Sequence, residues 1–259
     1  MDMSALRACW LEEERAAFQG WDFSHLNGRL DSPPLPWDYA QLIRRVLLTE
    51  DELLDMGTGG GEFLLTLEHP CVLTHVTESY PPNIQLCQEK LAPLGIDVQP
   101  VSGDLLPFEA NLFDLVINRH ESYDLQEVSR VLKPGKIFLT QQVGEKNNQT
   151  LSKKLIPGFK PSFAGFNLAS QLQAFQSAGF EPFFYAEAFS KSRFFDVGAV
   201  VYYAKALPWE FPNFSVENNF SQLAELQKEL DLSGFIESDE HRFILAARNQ
   251  KGEFRHAGD

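Results

Sequence analysis

Glu52–Phe63 reads ELLDMGTGGGEF, an apolar strand that runs into a glycine turn and then a helix. One residue in it needs explaining. Asp55 is a carboxylate at the end of a buried strand, two positions before the first glycine. A turn after the first strand of a parallel sheet points backbone N–H groups and a helix N-terminus at a ligand. Dinucleotide sites of this kind use GxGxxG and seat a pyrophosphate on the turn. Here Gly57, Gly59, Gly60 and Gly61 give GxGGGE, with no glycine at the third place. A bare carboxylate beside a pyrophosphate is also repulsive.

A ligand carrying both an ammonium and a carboxylate meets both objections. Its carboxylate takes the backbone N–H groups, and its ammonium sits by Asp55 in a charge-assisted contact of about 1.5–3 kcal/mol. The methionine end of S-adenosylmethionine is such a ligand. The plainer alternative for Asp55 is a turn or capping residue.

Outward from this stretch the pattern alternates between strand and helix. CVLTHVTES, IDVQPVSGD, FDLVIN, KIFLTQQV and EPFFYAEAF read as strands, and HRFILAARN as a closing one. NIQLCQEKLAPLG, capped by Gly95, LQEVSRVLKPG and NLASQLQAFQSAGF read as the helices between them. FDLVIN is nearly continuous and apolar, as a parallel strand buried on both faces should be. Such an order predicts a doubly wound α/β sheet. Before it lie a helix over Ala5–Phe18, a loop dense in turn residues and aromatics, and a helix opened by Pro36 and Asp38. From Ser190 to about Asp239 the alternation lapses. DVGAVVYYAKALP is open between strand and helix, with helix favoured if Asp196 is its N-cap, and SVENNFSQLAELQKELDLSG is a helix with a glycine cap.

LLDMGTGGGEF resembles the first motif of class I S-adenosylmethionine-dependent methyltransferases, an acidic residue, x, then GxGxG. Glu78 ends the second strand where that family places an acid bridging the ribose hydroxyls. SGDLLPF, Ser102–Phe108, resembles the stretch whose acid, here Asp104, binds the adenine amino group. FDLVIN and EVSRVLKPGKIFL resemble the fourth strand, the following helix and the fifth strand. The resemblance is firm from Leu53 to Leu139 and looser over Phe180–Phe189 and His241–Arg248. Thr58, Gly60 and Lys136 depart from the commonest residues at their places. It implies a Rossmann-like fold, a mostly parallel seven-stranded sheet, and S-adenosylmethionine as cofactor. The implied contacts are Asp55, Gly57, Thr58, Gly59 and Gly61; Thr77 and Glu78; Gly103, Asp104 and Leu105; and Asn118 and Arg119. The expected organisation is one domain: residues 1–37 as an N-terminal helical lid, 38–189 and 240–250 as the core, and 190–239 as a helical insertion.

A base for methyl transfer belongs after the fourth strand, where this chain has NRHESYD, Asn118–Asp124. His120 is the expected base and Glu121 its orienting acid, since a histidine near its ordinary pKa of about 6.5 is tuned for proton removal. A loop histidine bound to structure explains His120 equally well. His25 is a second candidate. The lid and insertion supply Trp21, Phe23, Trp37, Phe194, Phe195, Tyr202, Tyr203, Trp209, Phe211 and Phe214, either as an acceptor pocket or as plain core. Arg193 beside aromatics would suit a planar or anionic acceptor.

The composition narrows the classes. The chain has 259 residues, 44% hydrophobic, and a formal charge of −14, which opposes nucleic-acid binding. KKLIPGFK, Lys153–Lys160, is its best basic stretch, and a solvated loop accounts for it. Three cysteines without CxxC spacing, and no HExxH, argue against disulfide and metal sites. No apolar run approaches the roughly 18–20 residues of a membrane span, and the acidic N-terminus is unlike a signal peptide. A cytoplasmic methyltransferase acting on a small molecule is the expectation. RNA methylation and non-catalytic S-adenosylmethionine binding are the alternatives. The oligomeric state is not legible.

Overall fold

The computed structural model describes residues 2–18, 21–103 and 105–251. The first glycine turn sits at the centre of one sheet. β1 (Leu30–Asp31), β2 (Leu53–Met56), β3 (Thr74–Glu78), β4 (Asp97–Pro100), β5 (Phe113–Arg119), β6 (Leu132–Val143), β7 (Phe180–Phe194) and β8 (Ile236–Asn249) pair in the order β1-β7-β8-β6-β5-β2-β3-β4. β2 to β6 run parallel; β8 is antiparallel to β6, and β7 to β8. The order steps outward from β2 on both sides, so the carboxyl end of β2 lies beside a topological switch point.

The sheet has eight strands where seven were expected. The extra one, β1, lies in the segment read as a loop. Two residues suffice because β7 runs on to Phe194 and offers a free edge, and Leu30 pairs with Phe194 there.

Both faces of the sheet are covered. Alternation along β2 and β5 sends Leu53, Leu115 and Ile117 to one core and Leu54, Met56 and Val116 to the other. The first core is closed by α2 (Tyr39–Val46), α3 (Glu62–Leu65) and α4 (Pro81–Lys90). The second is closed by α5 (Leu125–Val131) and α7 (Leu168–Ser177), where Phe138 stacks on Phe175 at 5.5 Å. Helix starts follow local chemistry. Asp38 caps α2 through the Gln41 N–H, Asp124 caps α5, and Asn167 forms a capping box with Ser170 on α7. Gly95 closes a short 3₁₀ turn after α4 rather than the helix itself, because Pro93 interrupts the α-helical ladder.

A third core lies off the sheet. α1 (Met3–Arg15), α6 (Gln149–Leu155), α8 (Val197–Ala206) and α9 (Phe220–Ser233) pack around Phe194, Phe211, Val216 and Ile236. DVGAVVYYAKALP is a helix, with Asp196 accepting the Ala199 N–H. KKLIPGFK is not simply a solvated loop: its first residues complete α6, and Leu155 and Ile156 are buried in this core. The charged LSKK pattern hides that apolar face. β7 and β8 extend further toward each other than the sequence pattern implied, so the irregular stretch runs from 195 to 235.

Arg29 ties the N-terminal segment to this third core. Its Nε and Nη2 reach the two Asp196 oxygens at 2.8 and 2.6 Å, and Nη2 lies 2.8 Å from Glu13. Arg29→Met leaves Asp196 without its cation and Glu13 with only the His25 ring, and should destabilise the protein by about 1–2 kcal/mol, read as a lower urea midpoint at unchanged slope.

Candidate functional site

The glycine turn is bonded to the end of β3. Gly57 and Thr58 donate their N–H groups to the Thr77 carbonyl at 3.0 and 3.2 Å, and Gly59 donates to the Glu78 carboxylate at 2.8 Å. The other Glu78 oxygen accepts from the Ser79 and Tyr80 amides, both at 2.9 Å. Gly61 donates back to Thr58 at 3.2 Å. Of the amides from Gly57 to Gly61, only that of Gly60 has no such bond among the described residues. The turn is therefore a narrower anion cradle than the sequence implied.

Its glycines are required by geometry. Gly57 has φ +68°, and a Cβ there would stand 2.5 Å from Cγ of Glu121. Gly61, at φ +78°, would drive a Cβ to 2.7 Å from Leu91. Residues with side chains avoid that region of φ, and here there is no space for one either.

Asp55 opens onto the cavity yet is only 5% exposed. Burial pushes its pKa up to about 6, against the opposing effects of the Thr58 hydroxyl and the Arg119 charge, while nearby Glu78 raises it further. No cation lies within ion-pair distance of it among the described residues. Arg119 stands over the Phe63 ring at 4.3 Å, and it too lacks a carboxylate partner. A buried acid and an unpaired guanidinium beside one turn form a complement to a zwitterion.

Asn118 ends the apolar part of β5 and is fully buried. Its Oδ1 accepts from Thr140 at 2.9 Å and Gln142 at 2.5 Å, and its backbone carbonyl from Tyr39 at 3.0 Å. Its Nδ2 has no partner among the described residues, an orphan donor beside the turn. Gly103 has φ +84° with open space around it, and Leu105 is 75% exposed. Asp104 lies outside the described residues. Glu127 and Arg130 of α5 tie this loop down by bonds to Leu106 and Phe108.

His120 and Glu121 both line the cavity, but they do not pair. The His120 ring meets Gln141, with 3.3 Å between their Nε2 atoms. Glu121 instead lies against Gly57 and bonds Ser122 at 3.2 Å. The reason is backbone geometry: His120 has φ +64°, which turns consecutive side chains apart. Burial and the charge of Glu78 raise the Glu121 pKa. Enclosure by protein, then the charges of Arg242 and Arg119, hold the His120 pKa well below its ordinary value, although its ring opens to solvent through the cavity. His25 is elsewhere, bonded to Glu13 at 2.7 Å and packed on Tyr202.

One cavity of about 1500 Å³ runs from Asp55 and the glycine turn, past His120, to the third core. A single small ligand fills roughly 300–1,000 Å³, so a cofactor and a second molecule fit together. Of the aromatic set, Trp21, Phe23, Tyr203 and Trp209 line it. Phe194, Tyr202, Phe211 and Phe214 are core, and Phe195 is exposed. Arg193 faces the Phe235 ring and Glu237, away from the cavity. At this end the cavity is lined instead by Arg242, bonded through Nη1 to the side chain of Asn147 and to the His241 carbonyl. Beside it Glu210 accepts from Asn147 and Asn148, and Asn148 also donates to the Tyr203 hydroxyl. Burial raises both the Glu210 and the Tyr203 pKa. Sequence reasoning missed this cluster, because its members come from four separate segments with no shared spacing.

Residues 54–140 match a family described as a methyltransferase domain. The phthiotriol/phenolphthiotriol dimycocerosates methyltransferase of Mycobacterium leprae (strain TN) is 34% identical over 107 residues, 38% of this chain and 39% of that protein. The chain spans well under half the length of the curated relatives it matches. The YcgJ protein of Bacillus subtilis shares the fold at TM-score 0.55 and 15% identity, over 83% of this chain and 99% of that one. A geranyl diphosphate methyltransferase in complex with S-adenosylmethionine aligns at TM-score 0.50 and 15% identity, over 81% and 84%. With β2 leading into the glycine turn and β8 running antiparallel beside β6, the chain has a Rossmann-like fold, and residues 54–140 within it match the methyltransferase-domain family.

Proposed function

We propose that this protein transfers a methyl group from S-adenosylmethionine to a small molecule. The observation that carries the reading is the unpaired Asp55–Arg119 arrangement at the glycine turn. Asp55 holds the cofactor ammonium. Arg119 and the Gly60 amide hold its carboxylate. Asn118 offers its spare donor, and Glu78 keeps one lone-pair position for the ribose after accepting three amides. Thr58, Gly57, Gly59, Gly61 and Thr77 shape the turn, and the loop around Gly103 and Leu105 borders the base. Bound there, the cofactor supplies an electrophilic methyl on a sulfonium.

The lid of residues 1–37 and the insertion of 190–239 close the acceptor end. Aromatic rings of Trp21, Phe23, Tyr203 and Trp209 keep water from it, while Arg242, Glu210 and Asn147 give it polar handles. Holding the acceptor close and aligned accounts for about 7–11 kcal/mol of barrier lowering. The matched relative is named for a dimycocerosate and one similar structure for geranyl diphosphate; neither named acceptor is a nucleic acid. A chain of charge −14 fits that class better than RNA.

Calorimetry should show micromolar binding of S-adenosylmethionine and S-adenosylhomocysteine, roughly −8 kcal/mol, and none of NAD. Asp55→Ala should weaken both adenosyl ligands about 10–100-fold; unchanged affinity removes Asp55 from the site.

Wild-type affinity should depend on pH in one direction. Asp55 titrates near 6 in the free protein, and only its ionised form attracts the ammonium. Affinity therefore rises as pH increases toward about 7 and levels off above; the slope should vanish in Asp55→Asn.

The same shift makes a claim about stability. Because the folded pKa lies above the unfolded value of 3.8, the folded state binds more protons between those values and loses stability as pH rises from about 4 to 6. At pH 7, Asp55→Asn should stabilise the free protein by about 1–3 kcal/mol while impairing cofactor binding. A destabilised variant would mean that Asp55 serves the fold instead.

A further inference from the structure

Trp37 directs its indole N–H at the Gln141 side chain, 2.8 Å from Nε1 to Oε1. An indole nitrogen donates and never accepts. That bond therefore decides which end of the Gln141 amide is oxygen, and it leaves the amide nitrogen facing His120 at 3.3 Å. An amide NH₂ group also only donates. His120 Nε2 must then present a lone pair, and in a neutral ring the hydrogen sits on Nδ1. This is the opposite of the tautomer that a free histidine side chain favours.

Nothing in the surroundings relaxes the arrangement. Gln141 is 6% exposed, its backbone carbonyl accepts the His120 N–H at 2.9 Å, and its strand neighbour in β5 is Arg119. The guanidinium charges of Arg119 and Arg242 oppose a second hydrogen on the ring. His120 itself is held at φ +64°, a conformation that a residue with a Cβ adopts at some cost and that clusters at functional sites. Nδ1 has no partner among the described residues, and the ring lines the cavity between the glycine turn and Arg242.

We propose that His120 is a hydrogen-bond donor to the methyl acceptor through Nδ1–H, its tautomer fixed by Trp37 acting through Gln141. The inference rests on the reading of the cavity as a methyl-transfer site. It assigns His120 a role different from the base expected of it: its only lone pair is spent on Gln141, and the nitrogen free to meet the acceptor already carries hydrogen. The acceptor that fits offers an oxygen lone pair there, as a carbonyl or carboxylate does, and presents its nucleophilic atom already free of any proton that must leave. Trp37 and Gln141 are positioning residues.

Two measurements test this separately from cofactor binding. Long-range ¹H–¹⁵N imidazole spectra of the ligand-free, histidine-labelled protein at pH 7, assigned with His120→Asn, should show His120 neutral with hydrogen on Nδ1. In Gln141→Glu, a carboxylate faces both Trp37 and the ring, and the hydrogen should move to Nε2 or the ring become charged. A wild-type ring that is charged or hydrogenated at Nε2 overturns the proposal. The second measurement follows labelled methyl incorporation into a host metabolite extract. Asparagine puts an amide N–H where Nδ1 stands but supplies no base, so His120→Asn should stay within about tenfold of wild type while His120→Ala falls about a hundredfold. Equal loss in both variants also overturns it. Adenosyl ligands should bind all variants alike; failure of the wild type to bind them at all would remove the methyl-transfer reading and leave the tautomer result standing.

Discussion

The end of β3 holds the molecule's working shape. Thr77 and Glu78 together take the amides of Gly57, Thr58 and Gly59, and Glu78 takes two more from the residues that follow it. A carboxylate accepting several backbone N–H groups is a strong, charge-assisted anchor. It draws the turn back toward β3 and fixes where β2 stops. Asp55 is then left at the strand's tip, enclosed, with no cation of the protein's own to answer it. Had the turn kept its amides free, an anion would be the natural guest. With most of them spent on β3, the proposed reading gives recognition of a negative group to Arg119 and of a positive group to Asp55.

Much of the fold was legible because its periods are strong. Short apolar runs such as FDLVIN alternate with amphipathic helices, and two of their caps, Asp38 and Asp196, were read from the sequence. What escaped was structure whose stability comes from partners. β1 exists because β7 leaves an edge unpaired, and no property of Leu30 and Asp31 announces that. α6 is short and charged, and it is helical because Leu151 and Leu155 find the third core. In the site, the glycine turn and its acid were readable because they are contiguous. The Trp37–Gln141–His120 chain joins residues more than a hundred positions apart, and the separation of Glu121 from His120 depends on one positive φ. Neither leaves a mark on spacing.

Electrostatics give the cavity a direction. Neighbouring charges act on one another in sequence: Arg119 on Asp55, Arg119 and Arg242 on His120, and Arg242 on Glu210 and Tyr203. Acid and base thus alternate along the wall from the turn to the third core. Many further carboxylates face the same space, among them Asp22, Glu62, Asp124 and Glu240. Such a lining favours a cofactor that carries net positive charge over one carrying phosphates. Among the described residues Arg242 and Arg119 are the two guanidinium groups on this acidic wall.

The far end of the cavity is built on paired strands, and the reason lies in strand length. β8 pairs with β6 only as far as Arg242, opposite Val143, and from there to Ile236 it continues with β7 alone. That extension, edged only by the two residues of β1, would be marginal in water by itself. Here it is buried under α8 and α9, with Phe194 and Ile236 fully enclosed, and Arg29 bolts the N-terminal segment to Asp196 across the top. Arg242 stands where the extension leaves the main sheet, and its bonds to the Asn147 side chain and the His241 carbonyl fix its position. A side chain fixed in that way discriminates by geometry, since it does not move to meet a poorly matched guest. On the proposed reading, specificity for the acceptor resides at Arg242, Asn147 and Glu210, which hydrogen bonds hold together, rather than in the aromatic rings that enclose it.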